Sequence, residues 1–228
     1  GYILGEERFP TRGEEGVGEL LKKTAQSLKR LMVKAGIGEG EIGGYGLGMP
    51  GILDLKENHL RFAPNLQWRD LPILSLFKDH IGGRWVMEND ALAALRGEGF
   101  LGAGRGYKDF LYMTVSTGIG GGLFINGSHY YGAWGGAGEI GHMIIDPKGP
   151  LCGCGNRGCL EALASGQALE ARGRAVIKDG GGSPYLNEHR KEISGSIITQ
   201  GARRGDEVCQ GIIGETARYL GIGLANLL

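Results

Sequence analysis

Three cysteines fall within eight residues, in the run Cys152-Gly-Cys154-Gly-Asn-Arg-Gly-Cys159. No other feature of this chain fixes so much backbone at once. Three thiols on one short loop, with glycine at 153, 155 and 158, suit a backbone wrapped around a small ion. Tetrahedral zinc takes four nitrogen or sulfur ligands, sulfur at roughly 2.3 Å and nitrogen at roughly 2.0–2.1 Å. The fourth ligand must come from outside the loop. His142 stands ten residues before Cys152, across a turn marked by Pro147 and Gly149. His129 sits in a hairpin, and His59, His80 and His189 are remote in sequence. Four protein ligands leave no open position, so the expected zinc is structural. Cys209, the fourth cysteine, reads as an ordinary helix-face residue. The first residues are polar and charged with no signal-peptide pattern. The thiols are therefore expected to be metal ligands rather than disulfides, in a cytoplasmic protein.

Charge and composition exclude other classes. Lys+Arg and Asp+Glu each number 25, so the chain offers no basic footprint for nucleic acid or an anionic membrane. Its apolar runs fall short of the ~20 residues of a membrane span. Glycine is abundant, 46 of 228 residues, against a usual ~7%. It clusters at the ends of apolar segments, where a backbone turns tightly or approaches a ligand closely.

The periodicities alternate. Tyr2–Ile3–Leu4 reads as a strand or hairpin arm. From Glu14 to Ala35, apolar residues at Val17, Leu20, Leu21, Ala25, Leu28, Leu31, Met32 and Ala35 predict an amphipathic helix stopped at Gly36. Ile42 to Met49 reads as a strand, a helix starts near Pro72, Trp85–Met87 is a short strand, and Ala91 to Phe100 is a good helix former. That order argues for an α/β sheet. Phe110 to Val115 is a further strand, Asn126–Gly127 a hairpin turn, and helical pattern resumes near Cys159 and from Asp206. A glycine-rich polar stretch from Gly102 to Lys108 marks a boundary between two lobes, residues 1–106 and 107–228.

At this point the residues carry a resemblance. Gly138-Glu139-Ile140-Gly141-His142, followed by the cysteine run and Leu160-Glu161, resembles the signature of the ROK family (repressors, open reading frames, kinases). Gly48-Met-Pro-Gly51, Asn65, Glu88-Asn89-Asp90-Ala91 and Ser116-Thr117-Gly118-Ile119-Gly120-Gly121-Gly122 fall in the family's order and rough spacing. The resemblance implies a two-lobed actin/hexokinase (ribonuclease H-like) ATPase fold, with a hexose and ATP between the lobes and Mg²⁺ on the nucleotide. It implies phosphorylation of a glucose-like hexose or N-acetylhexosamine at its 6-hydroxyl.

Each residue has a chemical reading beside the family's. Asp90 follows a buried strand at the start of a helix. It can be a general base held by helix-end amides, or merely the cap of the helix starting at Ala91; the resemblance makes it the base. Sugar hydroxyls both donate and accept, so short polar groups suit them. The resemblance sets Gly51, Asn65, Asn89 and Asp90 at the sugar from the first lobe. From the second it sets Glu139 and His142 near the C2 and C3 hydroxyls and Glu161 near the anomeric end. His142 would serve zinc through one ring nitrogen and the sugar through the other. Consecutive amides at Gly118, Gly120 and Gly121, with the Thr117 hydroxyl, can cradle phosphate.

The family's Asp-x-Gly-Gly-Thr turn and its adenosine-binding Gly-Gly turn have no counterpart in this sequence. The expectation is a kinase trimmed at both ends that binds ATP poorly. Leu92 also stands where Asn is common. Two other readings remain open: a sugar-sensing repressor, touching nucleic acid only through a helix-turn-helix ahead of Gly1, and a catalytically inactive sugar-binding module. The family often forms homodimers.

Overall fold

The computed structural model describes residues 2–133 and 136–228, apart from the side chain of Pro64. The chain divides into two compact units, Gly1–Arg105 and Gly106–Leu228.

In the first unit, helix α1 (Gly16–Ala35) follows a 3-10 turn over Gly13–Glu15. Its apolar stripe buries Leu21 and packs Val17 and Leu20 on the core. It ends as the sequence predicts: Gly36 takes φ +67°, and Gly36 and Ile37 donate back to the carbonyls of Val33 and Met32. Strand β1 (Tyr45–Met49) runs parallel to the later β5 (Trp85–Asn89), with Met49 in register with Asn89. Between them lie an antiparallel meander, β2 (Ile52–Asp54), β3 (His59–Ala63) and β4 (Trp68–Leu71), and helix α2 (Ile73–Ile81). Helix α3 (Asp90–Leu101) follows β5 without a gap. Phe77, Leu60 and Ile73 are fully buried. Tyr45 stacks on Trp85 with ring centroids 4.5 Å apart.

Three expectations are corrected here. Tyr2–Leu4 forms no strand; Tyr2 is 96% exposed, and no edge among the described residues pairs with it. The segment after it is held instead on α1, where Arg30 donates twice to the Glu7 carboxylate at 2.8 Å. The strand expected from Ile42 starts only at Tyr45, whose amide makes its bond to the Arg84 carbonyl. The meander over residues 52–71 is additional to the expected alternation. Its turns carry no glycine signal, because Asn58 and Gln67 supply the positive φ values there themselves, and a third falls at Asp70 inside β4.

The second unit opens with an antiparallel sheet of β6 (Phe110–Val115), β7 (Ile119–Ile125) and β8 (Ser128–Tyr130). Asn126 and Gly127, at φ +53° and +76°, make the tight hairpin turn that their types predict. After the cysteine loop come α4 (Leu160–Ala164), α5 (Gly166–Lys178), α6 (Pro184–Glu188), α7 (Gly195–Arg203) and α8 (Glu207–Ala225). Leu186, Ile198, Cys209 and Ile212 form the core of the helical part, and Ile119, Leu160 and Ala164 a second cluster under the sheet. Among the described residues no helix is long and apolar enough to cross a membrane.

Candidate functional site

The cysteine loop folds as a knuckle. The Cys152 amide donates to the Asn156 carbonyl at 2.7 Å, and the Gly155 amide back to Cys152 at 3.0 Å. Leu151 bridges Arg157, and Ile144 bridges Cys159. Gly158 is obligatory: its φ is +70°, and a Cβ there would stand 1.5 Å from the Asp146 carbonyl oxygen. Gly153, by contrast, meets nothing within 4 Å, so its freedom is not what closes the loop.

This fold gathers four side chains. The ligand atoms of His142, Cys152, Cys154 and Cys159 all lie within 4.8 Å of one another. His142 Nδ1 is 3.6 Å from Cys152 Sγ, and Cys154 Sγ is 3.6 Å from Cys159 Sγ. Ligands at zinc distances on a tetrahedron sit about 3.5–3.8 Å apart, so the donor set and its spacing fit that ion. Burial, with the neighbouring thiols next, pushes the Cys159 thiol up to about 12. Burial also raises Cys152, whereas the backbone bond from Asn156 lowers Cys154. Because Nδ1 faces the cysteines, Nε2 is the nitrogen left over; it lies 3.8 Å from Glu139 Oε2. Glu139 is exposed.

The turn between β6 and β7 is Ser116–Thr117–Gly118, closed by the Ser116 amide on the Gly118 carbonyl at 2.9 Å. The carbonyls of Ser116 and Thr117 are taken by the Gly166 and Gln167 amides at 2.8 and 3.2 Å. Glu161, in the first turn of α4, accepts the Ile119 amide at 2.9 Å. Thr117 is exposed, and among the described residues its amide and that of Gly118 take no part in the bonds that hold the turn, so these two donors suit an anion. Gly120 and Gly121, expected in the phosphate cradle, fall outside the turn itself. They are strand residues in register with Thr114 and Met113. Gly121 is glycine because Ile140 Cδ1 lies 2.2 Å from where its Cβ would be.

In the first unit the polar residues collect at the carboxyl ends of the parallel strands, where ligands of open α/β sheets bind. Asn89, not Asp90, caps α3: its Oδ1 accepts the Ala91 and Leu92 amides at 3.0 and 3.2 Å. Its Nδ2 donates to the Gly51 carbonyl at 3.3 Å. One Asn89 N–H therefore remains for a ligand. Gly51 sits at φ +100°, with Phe62 O 2.3 Å from a would-be Cβ, so this crossing admits no side chain. That close approach brings Gly51 beside the end of β3, just ahead of the Pro64–Leu66 turn that carries exposed Asn65. Asp90 is exposed, and its Oδ1 accepts the Ala91 amide at 2.9 Å.

The whole chain, residues 1–228, matches the ROK family. The chain belongs to the ROK family. It is 34% identical over 229 residues to a xylose repressor of Caldicellulosiruptor bescii, covering 100% of this chain and 57% of that protein. It is 30% identical over 230 residues to a glucokinase of Halalkalibacterium halodurans, of which it spans 70%. A ROK glucokinase from Streptomyces griseus, solved with glucose and AMPPNP, superposes with a TM-score of 0.74 at 36% identity, over 90% of this chain and 67% of that one. The chain thus spans a little over half the length of the first of these curated relatives. Its fold is the α/β fold of ROK hexokinases.

Two local roles are not legible from sequence. Asn89 is expected there as a sugar ligand, with Asp90 as base or as helix cap, and only the geometry gives the cap to Asn89. An Asn ahead of a helix is itself a cap signal. Ser165 was missed as the cap of α5; its hydroxyl accepts the Ala168 amide at 3.3 Å and is buried. Ser165 stands just ahead of the first α5 amides, which hold the Ser116 and Thr117 carbonyls, and Ser before an apolar-periodic run is the signal that marks such a cap.

Proposed function

We propose that this ROK protein phosphorylates a glucose-like hexose or N-acetylhexosamine at its 6-hydroxyl, with ATP as donor and Asp90 as general base. The observation that carries the proposal is the division of labour at the end of β5. Asn89 takes the Leu92 amide and shares the Ala91 amide with one Asp90 oxygen, so the exposed Asp90 carboxylate keeps its second oxygen for other work. A carboxylate within reach of a hydroxyl can take its proton as phosphoryl transfer proceeds. Within the first unit Asn65, Gly51 and the remaining Asn89 N–H are the groups suited to sugar hydroxyls. Within the second they are Glu139, His142 and Glu161. Thr117 and Gly118 face the phosphates, and Mg²⁺ arrives with the nucleotide to neutralise their charge.

Zinc would be held by His142 Nδ1, Cys152, Cys154 and Cys159. It would supply rigidity, with no open position for chemistry. Ligation through Nδ1 leaves the proton on Nε2, making His142 a donor to a sugar hydroxyl. The test is ADP release over a panel of hexoses, with 6-deoxyglucose as control. The proposal expects one or a few sugars to release ADP and the deoxy sugar to bind without turnover.

A second reading is supported by the 34% identity to a xylose repressor along the whole chain. In it the same pocket residues sense a sugar and transfer nothing. Sugar binding without any ADP release would favour it.

A further inference from the structure

Glu161 carries more than a sugar hydroxyl. Its Oε2 accepts the Ile119 amide, the first N–H after the Ser116–Gly118 turn, at 2.9 Å. The turn is built to receive it: a Cβ on Gly118 would stand 2.3 Å from that same oxygen. Gly118 is therefore glycine to let a carboxylate close on the turn, and not only to expose an amide. The other supports of the turn come from the same stretch of chain. Gly166 and Gln167, just after α4, hold the Ser116 and Thr117 carbonyls. Gly141, next to His142, leaves room for the Ile119 carbonyl, which would be 2.0 Å from a Cβ there. Of these supports only Glu161 is a side chain, and only it has a second oxygen to offer elsewhere. Ile119 is buried and Glu161 half-buried, so water competes weakly for the bond.

We infer that Glu161 is a positioning residue that couples the sugar to the phosphate turn: Oε2 sets the Ile119 amide and hence the Thr117–Gly118 amides, while Oε1 meets the sugar. This rests on the sugar-kinase reading above for the identity of the ligand on Oε1, but not for the tie to Ile119. A hydroxyl donating to Oε1 fixes the carboxylate plane. That fixes Oε2, and the turn tightens before phosphate arrives. Sugar and nucleotide then bind with positive cooperativity, each by the same factor.

The experiment reads amide hydrogen exchange at Ile119 and, as a reference, at Leu123 in the same strand, by NMR on the zinc-loaded chain. Three variants are compared. Glu161→Ala removes the acceptor. Glu161→Gln keeps a carbonyl oxygen for Ile119. Gly118→Ala keeps the carboxylate but drives it off the turn. The expected result is exchange at Ile119 at least about tenfold faster in Glu161→Ala and Gly118→Ala. Glu161→Gln should stay near wild type, and Leu123 should be unchanged throughout. In wild type, sugar should slow Ile119 further and tighten AMPPNP binding; in Gly118→Ala it should do neither. Unchanged Ile119 exchange in both Glu161→Ala and Gly118→Ala overturns the tie. Slowed exchange and sugar-dependent AMPPNP tightening that persist in Gly118→Ala overturn the coupling. A calorimetric titration showing no sugar binding to wild type defeats the kinase reading instead, and the sugar-free exchange data still decide the tie.

Discussion

Replacing Asn89 by Ala removes three hydrogen bonds at once, and their sizes can be worked out separately. The Ala91 and Leu92 amides lose an acceptor 3.0 and 3.2 Å away. Loss of an N-cap of this kind costs about 1 kcal/mol, within about 0.5–2. The Gly51 carbonyl loses a 3.3 Å bond from Nδ2, and a bond that long in a half-buried setting contributes about 0.5–1 kcal/mol. The sum is about 1.5–2 kcal/mol, or a fall in Tm of roughly 3–8 °C for a chain of this size. Asn89→Ser separates the parts, because a serine hydroxyl caps but does not reach Gly51. It should cost only about 0.5–1 kcal/mol. Urea unfolding followed by fluorescence of Trp68 and Trp85, both buried in this unit, measures both variants. The reasoning is refuted if Asn89→Ala unfolds within about 0.5 kcal/mol of wild type, or if Asn89→Ser is as damaging as alanine.

Four further outcomes follow from the same geometry. Gly158→Ala must strain a positive φ and push a Cβ into the Asp146 carbonyl. It should cost more than about 2 kcal/mol and lower zinc occupancy measured by metal analysis. Cys152→Ser should release bound zinc to a colorimetric chelator more than about tenfold faster than wild type, and about one zinc per chain in wild type is expected for a four-ligand site. Arg172→Ala strips the Leu163 carbonyl and Thr216 hydroxyl of donors at 2.6 and 2.9 Å and should lower unfolding stability by about 2–3 kcal/mol. The Cys209 thiol is pushed up to about 12 by burial, and next by the Asp206 carboxylate. A raised folded pKa stabilises below the unfolded thiol's ~8.5, and that contribution is lost as pH climbs towards 12. A disulfide reagent should therefore leave Cys209 unmodified at pH 9 in folded protein and label it in urea.

What was legible in the sequence follows the strength of each local signal. The Cys152–Cys159 loop, α1 with its Gly36 stop, β6, the Asn126–Gly127 hairpin and α8 from Asp206 all carry patterns that one element decides by itself. The β2–β4 meander did not. Its strands are three to five residues long, too short for two-residue alternation to stand out, and its turns use Asn58 and Gln67 in place of glycine. At Gly121 a neighbour's bulk accounts for the glycine, with Ile140 Cδ1 2.2 Å from a would-be Cβ, which glycine content alone does not reveal. In the site, the residue types were readable but their division of labour was not. Both Asn89 and Asp90 are plausible caps by type, and only the geometry assigns the amides to Asn89. Likewise, nothing in the spacing of Glu161 from Ile119, 42 residues apart, marks a hydrogen bond between them.

The central claim is that Asp90 takes the proton of a sugar hydroxyl, and the most direct measurement compares wild type with Asp90→Asn in two assays on the same zinc-loaded preparation. One is single-turnover transfer of the γ-phosphate of ATP to the sugar, which detects slow chemistry. The other is sugar affinity by calorimetry. The account predicts that transfer falls by about 10²–10⁴-fold, the range of a general base, while sugar affinity changes by less than about threefold. Equal transfer by wild type and Asp90→Asn, or sugar bound by wild type with no transfer at all, would contradict it.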